Sequence, residues 1–251
     1  MIFENVAQRL IVAIDPHFPE DTNPKEVAQQ CLAEACNELE PLGVTVKINT
    51  VARVLGATAV EIIHDSGLGC FLDLKLYDIG NTVENDADWI RYYSPMMLTA
   101  SERVKPLALQ QLIAALPDTL VLPVGPLTDL DDMDFKWFGN PNEPNRASAA
   151  EKFFNRIWQG RAHGAICAPV DIAVAPKGFL TNATIITPAV KPHWTVLDNN
   201  SANALTPTKA FEAGADAIVV GRGITAQESV SMREAAKRTL AEVEEALAKR
   251  Q

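Results

Sequence analysis

Two charged residues interrupt a segment that otherwise has the composition of a buried strand. Asp73 lies within the apolar run Cys70–Leu74, and Lys75 follows it directly. Because the two residues are two apart, an extended strand would point both side chains to the same face. A buried carboxylate and ammonium are costly unless paired, but together they can stabilise a developing charge and transfer a proton. The pair therefore predicts electrostatic and acid–base chemistry.

Two further charges stand at the ends of the preceding apolar runs. Asp15 directly follows the first run, and Lys47 is near the end of the second. A single lysine here would mean little, since lysines often end strands in water. Together with Asp73 and Lys75, however, these residues predict a charge cluster at one end of three neighbouring strands. A self-satisfied ion pair within the core is the alternative interpretation.

Asp78 and Thr82 lie just beyond the charged segment. Asp78 is on the loop into the next helical stretch, and Thr82 is near the first turn of that stretch. An isolated aspartate in such a place is most often a turn or capping residue. The residues alone leave the role of Asp78 open between a turn and an active site.

A glycine-flanked arginine follows the last apolar run of the chain. Gly221-Arg222-Gly223 is followed by Ile224, Thr225 and then a predicted helix. Glycines allow backbone N–H groups to approach an anion at a helix N-terminus, and a guanidinium can bind two phosphate oxygens. The motif predicts a phosphate site, with a plain glycine-rich turn as the alternative.

These residues are positioned by short apolar segments that alternate with helical stretches. The predicted strands are Leu10–Ile14, Val44–Ile48, Cys70–Leu74, Pro95–Leu98, Leu120–Val124, Ala165–Ala168, Ala183–Ile186 and Ala217–Val220. Their continuous apolar character is typical of parallel strands buried on both faces. Eight such units in 251 residues predict a single (βα)₈ barrel domain over 1–251, with its active site at the C-terminal ends of the strands.

Helical stretches and long polar segments complete the pattern. Helices are predicted to start at Asn23-Pro24 and to span Thr50–Ile63 and Ser229–Ala248. Residues 128–148 and 188–206 are long and polar, and both follow the C-terminal ends of predicted strands. Long loops at that end of a barrel often bind ligands, although the first is equally well explained as a surface excursion.

The composition limits the partners and the compartment. A formal net charge of −10 argues against a nucleic-acid partner. No apolar run approaches the length of a membrane span, which is about 20 residues, and the N-terminus lacks the features of a signal peptide. Neither the cysteines nor the histidines have metal-ligand spacing, so we expect no metal, free thiols and a cytoplasmic protein. The cysteines are Cys31, Cys36, Cys70 and Cys167.

The segment FLDLKLYDIGNTV closely resembles the signature of the orotidine 5′-phosphate decarboxylase family, whose D-x-K-x-x-D motif lies on the third strand. VAID, VKIN, TPAVKP and GADAIVVGRGIT resemble other motifs of the family in the same order, so the resemblance covers essentially the whole chain. It implies a cofactor-free (βα)₈ enzyme that converts orotidine 5′-phosphate to UMP and CO₂ in de novo pyrimidine biosynthesis.

The resemblance also implies roles for individual residues. The catalytic Lys-Asp-Lys-Asp array would be Lys47, Asp73, Lys75 and Asp78. The residues implied to bind substrate are Asp15, Thr82, Thr128, Lys191, Gly221 and Arg222. Asp15 would contact the ribose, Thr128 the pyrimidine, and Gly221 with Arg222 the phosphate. The family forms homodimers in which Asp78 and Thr82 would reach the partner's site.

Some positions depart from the family pattern. Gly80 and Gly223 stand where proline is usual, and TPAVKP replaces TPGIRP, which puts Lys191 in place of an arginine. Lysine keeps the charge but loses the planar fork. A phosphate-gripping glutamine is usual in the loop after the seventh strand, where this chain has Asn199, Asn200 and Ser201. We expect these changes to affect phosphate affinity before they affect the chemistry.

Two other functions remain as alternatives. A metal-dependent sugar-phosphate decarboxylase of the same superfamily would also carry D-x-K-x-x-D, but it needs an acidic residue on the second strand, where this chain has Lys47. A non-catalytic nucleotide-binding relative would have little reason to retain the whole charged array. Dependence on a metal would discriminate the first alternative.

Overall fold

The computed structural model describes residues 3–137, 145–195 and 205–250. Eight strands follow one another in chain order around a closed barrel, and the strand pairs with a described register are parallel. This is the predicted (βα)₈ arrangement. The strands are β1 (Leu10–Ile14), β2 (Thr45–Ile48), β3 (Gly69–Leu76), β4 (Met97–Ser101), β5 (Leu120–Val124), β6 (Gly164–Ile166), β7 (Thr184–Thr187) and β8 (Ala217–Val220).

Helices lie between the strands and follow the last one. They are α1 (Pro24–Leu39), α2 (Thr50–Leu55), α3 (Ala57–Asp65), α4 (Gly80–Tyr93), α5 (Pro106–Ala115), α6 (Asp132–Trp137), α7 (Arg146–Gln159), α8 (Pro169–Ile172), α9 (Lys177–Leu180), α10 (Pro207–Glu212), α11 (Arg222–Thr225) and α12 (Met232–Arg250). Asn23 caps α1, since its Oδ1 accepts a hydrogen bond of 3.0 Å from the Lys25 amide, and Pro24 occupies the first turn as predicted. In the described part of the chain, no helix is long and apolar enough to cross a bilayer.

Two predicted segments were wrong in their internal structure. The predicted helix Thr50–Ile63 is two helices, because Gly56 has φ of +61° and ψ of −136°, a backbone conformation open to glycine, and ends the first. The stretch 128–148 is not a continuous loop, since it contains α6 and the start of α7. Asp131 initiates α6: its Oδ1 accepts hydrogen bonds of 2.7 and 3.1 Å from the amides of Met133 and Asp134.

The last helix also begins later than predicted. Its first residue is Met232 rather than Ser229, because Ser231 caps it. The Oγ of Ser231 accepts a hydrogen bond of 3.2 Å from the Glu234 amide. The preceding helical turn, α11, is a separate element that directly follows the glycine after β8.

The chain forms two compact units. The first comprises residues 1–74, 189–212 and 217–251, and the second comprises 75–188 and 213–216. Of the residues predicted to form a site, the first unit holds Asp15, Lys47, Asp73, Lys191, Gly221 and Arg222. The second unit holds Lys75, Asp78, Thr82 and Thr128. The prediction of one domain over 1–251 remains a prediction.

The first unit owes its core to strands that are buried on both faces. Leu10, Ile11 and Val12 are consecutive in β1 and fully buried, and every residue of β8 is buried. This burial accounts for the continuous apolar runs in the sequence.

The cysteines are free, as expected, and burial raises the pKa of the Cys70 thiol.

In the second unit, aromatic rings of α7 and α9 pack against one another. The ring centroids of Phe153 and Phe154 are 5.1 Å apart, and those of Phe154 and Phe179 are 5.8 Å apart. Gly164 of β6 lies so close to β7 that a Cβ there would overlap the carbonyl oxygen of Thr184. Glycine is therefore required at this strand contact.

Candidate active site

Lys47 of β2 lies between two carboxylates of the first unit. Its Nζ is 2.9 Å from Oδ2 of Asp73 on β3 and 3.5 Å from Oδ2 of Asp15, which follows β1. The Lys47 and Asp73 side chains are 13% and 10% exposed, whereas that of Asp15 is 42% exposed. Lys47 is in register with Ala13 of β1 and Phe71 of β3, so each carboxylate is two residues further along its strand. Three of the four clustered charges thus lie together.

Residues of helix α2 donate hydrogen bonds to the Asp15 carboxylate and to the β3 backbone next to Asp73. The amide of Thr50 donates a hydrogen bond of 3.4 Å to Oδ1 of Asp15. Nη2 of Arg53 donates one of 3.2 Å to the carbonyl oxygen of Leu74, the residue directly after Asp73. Sequence reasoning missed Arg53, because a side chain that binds a distant backbone carbonyl leaves no pattern in the sequence.

In the second unit, Lys75 has a backbone conformation that is rare for its residue type. Its φ is +52°, in the left-handed region, although it lies inside β3. Its amide donates a hydrogen bond of 2.8 Å to Oγ1 of Thr99 on β4, and Thr99 is 1% exposed. The regular alternation that placed Asp73 and Lys75 on one face therefore does not continue through Lys75, because a left-handed residue breaks the pleat.

Asp78 and Thr82 lie at the start of α4. Asp78 is exposed, and its Oδ1 accepts a hydrogen bond of 2.7 Å from the Ile79 amide. Thr82 is half-buried in the first turn, as predicted, and its amide donates to the Ile79 carbonyl at 3.0 Å. Within one chain, Asp78 therefore makes the local contact of a turn residue. Its neighbours Tyr77 and Ile79 have large hydrophobic side chains, yet they are 62% and 71% exposed.

Arg146, at the start of α7, holds the loop that follows β5. Its Nε and Nη2 donate hydrogen bonds of 2.8 and 2.7 Å to the two carboxylate oxygens of Asp171, whose side chain is 2% exposed. The loop contains Thr128, which is exposed. The guanidinium also donates to loop carbonyl oxygens, at 3.2, 2.9 and 3.0 Å, of Pro126, Leu127 and Leu130. Sequence reasoning missed this arginine as well.

The segments that carry Lys191 and Arg222 touch in the first unit. Gly221 follows β8, and a Cβ added at Gly223 would lie only 2.8 Å from Cδ of Pro192. Glycine at this position therefore permits the close contact. The two cations directly precede the touching residues, and both are exposed.

The same segment after β7 is tied to the C-terminal helix. Glu242 of α12 accepts hydrogen bonds of 2.8 and 3.1 Å from the amides of His193 and Trp194. The amide of Lys191 donates one of 2.8 Å to the carbonyl of Leu205. Asn199, Asn200 and Ser201, which the sequence offered in place of a phosphate-gripping glutamine, lie outside the described residues.

Comparison with known proteins decides the family. Residues 8–239 match the family described as "Orotidine 5'-phosphate decarboxylase / HUMPS family". The chain belongs to this family. A family member from Halorhodospira halophila, named orotidine 5′-phosphate decarboxylase, is 31% identical over 232 residues, which are 91% of this chain and 93% of the relative. One of the same name from Heliobacterium modesticaldum is 30% identical over 253 residues, covering 96% and 98%.

A solved structure of the family agrees with the fold. The crystal structure of orotidine 5′-phosphate decarboxylase from Lactobacillus acidophilus superposes with a TM-score of 0.68 and 22% sequence identity, covering 93% of this chain and 98% of that one. At this identity the likeness supports the barrel fold. The two relatives named above are decarboxylases by name.

Proposed function

We propose that this protein is an orotidine 5′-phosphate decarboxylase of de novo pyrimidine biosynthesis, acting without a cofactor or metal. It would release CO₂ from C6 of the pyrimidine and yield UMP. The observation that carries the proposal is the hydrogen bond of 2.9 Å between Lys47 and Asp73, found in a member of this family. An ammonium bound to a largely buried carboxylate is suited to a reaction whose charges change at one carbon atom.

In this proposal Asp73 lies beside the substrate carboxylate and Lys47 holds it there. The negative charge of Asp73 disfavours the charged substrate group, and that repulsion is relieved as CO₂ leaves. A unit charge pair at 4 Å contributes about 4 kcal/mol at an effective dielectric constant near 20. The largest enzymatic accelerations correspond to roughly 20 kcal/mol or more, so one such contact is far from sufficient.

Lys75 is the proton donor of the proposed reaction. When the bond between C6 and the carboxylate breaks, its electron pair remains on C6 and CO₂ departs. The Lys75 ammonium stabilises this carbanion and then transfers a proton to C6, which gives UMP and a neutral amine. Solvent returns the proton to the lysine. Asp78 of the partner subunit completes the alternating array and helps to orient Lys75.

The remaining proposed residues bind the parts of the substrate that do not react. Asp15 and Lys47 bind the ribose hydroxyls, and Thr128 contacts the pyrimidine. The phosphate is held by Gly221, Arg222 and Lys191. The contact between Pro192 and Gly223 supports this grouping, because it joins the two segments that carry the cations. Binding energy from the phosphate can then be used at the distant reacting carbon.

The proposed enzyme is a homodimer in which Asp78 and Thr82 enter the partner's site. Two observations support a second copy of this chain as the partner. Asp78 is exposed at the end of β3, and the adjacent Tyr77 and Ile79 expose 62% and 71% of their surface. Exposed apolar residues that flank a charged functional group are typical of an interface.

The alternatives from the sequence are weakened by the same geometry. A metal-dependent sugar-phosphate decarboxylase would place an acidic residue of the second strand beside the metal. In this chain that strand contributes the Lys47 ammonium, 2.9 Å from Asp73, where it opposes binding of a cation. A non-catalytic nucleotide-binding relative remains the second alternative, and turnover distinguishes it.

Product analysis tests the proposal. Orotidine 5′-phosphate carrying ¹³C in its carboxyl group is incubated with the purified protein. We expect all of the label to appear as CO₂ and its hydration products, with one UMP formed for each labelled carbon. Label that stays with the nucleotide would overturn the proposed reaction.

A further inference from the structure

Lys75 differs from the other described non-glycine residues that have positive φ. Those residues lie in turns or loops or directly after a helix, and they are Asp21, Ser94, Arg161 and Ala189. Lys75, with φ of +52°, lies inside a strand. Glycine or asparagine would adopt this conformation more easily. A strained residue persists only where its surroundings determine its conformation, and such residues cluster at functional sites.

The hydroxyl group of Thr99 is the group that contacts the Lys75 backbone. A strand amide normally donates to a carbonyl of the neighbouring strand. The Lys75 amide instead donates to the side-chain Oγ1 of Thr99, at 2.8 Å. The side chain thus supplies the acceptor for a backbone whose left-handed turn has left the regular strand geometry.

Thr99 is itself firmly fixed. It lies in the middle of β4, in parallel register with Leu122 of β5, and is 1% exposed. Its branched side chain has few rotamers. Its hydroxyl oxygen is therefore well placed to hold the Lys75 backbone by a hydrogen bond.

We propose that Thr99 is a positioning residue for Lys75. The Thr99 hydroxyl sets the backbone conformation of Lys75, and this conformation directs the lysine ammonium toward the reacting carbon. The inference rests on the proposed decarboxylase function, because aim matters only if Lys75 transfers a proton. Thr99 would not contact the substrate in this account. It would act on the rate of the chemical step and leave substrate binding largely intact.

Two substitutions separate the hydroxyl from the shape of the side chain. Thr99→Val keeps the branched shape but removes the acceptor, whereas Thr99→Ser keeps the acceptor. We expect kcat of Thr99→Val to fall about 100-fold, as for a misplaced catalytic group, with KM changed less than about threefold. Thr99→Ser should recover kcat to within about fivefold of the wild type.

Thr119→Val is the matched control. Thr119 is also buried in the second unit, and its hydroxyl bonds to the Pro95 carbonyl at 2.8 Å. It precedes β5 and thus lies at the opposite end of the strand from the predicted site. We expect it to lower the unfolding temperature as Thr99→Val does, with kcat unchanged. Equal kcat in Thr99→Val and the wild type, or equal losses in the valine and serine variants, would overturn the inference.

Hydrogen exchange of the Lys75 amide tests the inference independently of turnover. In the wild type and Thr99→Ser this amide should be protected, and in Thr99→Val it should exchange at least about tenfold faster. Unchanged exchange in Thr99→Val would overturn the inference, whatever the activity. If the Lys75 amide exchanges faster in Thr99→Val as expected, but the wild type does not decarboxylate orotidine 5′-phosphate, the proposed function is refuted. The proposed role of the contact in catalysis is then refuted with it.

Discussion

The Nζ atom of Lys47 lies 2.9 Å from Oδ2 of Asp73, and both side chains are almost completely removed from solvent. Such a pair is weak evidence for stability, because desolvation offsets much of the attraction. Its place in the C-terminal halves of two barrel strands, toward the end where barrel enzymes carry their active sites, favours a catalytic purpose. The proposed reaction depends on this pair and on Lys75.

Removal of the proposed proton donor should separate chemistry from binding. We expect Lys75→Ala to lower turnover of orotidine 5′-phosphate at least about 1,000-fold, because no other group is assigned to protonate C6. Binding of UMP, measured by calorimetry, should remain detectable. Lys237→Ala, which removes an exposed lysine of α12, is the control and should turn over normally. Appreciable turnover by Lys75→Ala would show that the proton donor is wrongly assigned.

The phosphate site predicts a substrate-dependent effect. For Arg222→Ala we expect kcat/KM with orotidine 5′-phosphate to fall about 10- to 100-fold, the loss of a charge-assisted hydrogen bond. With orotidine, which lacks the phosphate, the same substitution should have no effect. Steady-state kinetics with both substrates measures the difference. An equal loss with both would mean that Arg222 supports the fold rather than the phosphate.

A strained alanine follows β7 in the segment TPAVKP. Ala189 has φ of +60°, where a Cβ is unfavourable and glycine is not. We expect Ala189→Gly to raise the free energy of unfolding by about 1 kcal/mol, and the melting temperature by roughly 2–4 °C. Calorimetry of the two proteins checks this. A lower melting temperature would show that the flexibility of glycine in the unfolded chain outweighs the relief of strain.

The buried pair of Arg146 and Asp171 should be strongly coupled. Arg146→Met leaves the Asp171 carboxylate, which is 2% exposed, without its bidentate partner. We expect the free energy of unfolding to fall by about 3 kcal/mol or more. In the double variant with Asp171→Leu, the free energy of unfolding should fall by clearly less than the sum of the two single decreases. Urea unfolding of the four proteins gives the coupling. Arg91→Met, which breaks an exposed pair of 2.8 Å with Asp88, should have little effect. Additive losses would contradict the coupling.

The strands were predictable because their signal is local. β1, β5 and β8 have the predicted bounds, since continuous apolar runs are what burial on both faces requires. The division at Gly56 was missed, because an isolated glycine inside a helical pattern is often tolerated. The late start of α12 was missed because several polar residues before it could cap a helix, and the sequence does not show that Ser231 is the one that does.

The charged cluster was partly predictable. Lys47, Asp73 and Asp15 were predicted to lie together, and the structure brings these three side chains together. The spacing argument that put Lys75 on the same face as Asp73 does not hold through the left-handed backbone at Lys75. The contacts of Arg53 and Thr99 were not predictable, because each joins a side chain to a backbone group in a different element. The left-handed backbone at Lys75 also leaves no mark in the sequence, since lysine is not a residue type that indicates a positive φ.

The most direct test of the proposed function is the rate at which purified protein removes the absorbance of orotidine 5′-phosphate, with and without EDTA. We expect rapid loss that EDTA does not change, because in the proposed reaction Lys47, Asp73 and Lys75 supply the charges. Loss that EDTA abolishes would contradict a metal-free site and indicate the metal-dependent alternative. Complete stability of the nucleotide would contradict the decarboxylase function itself.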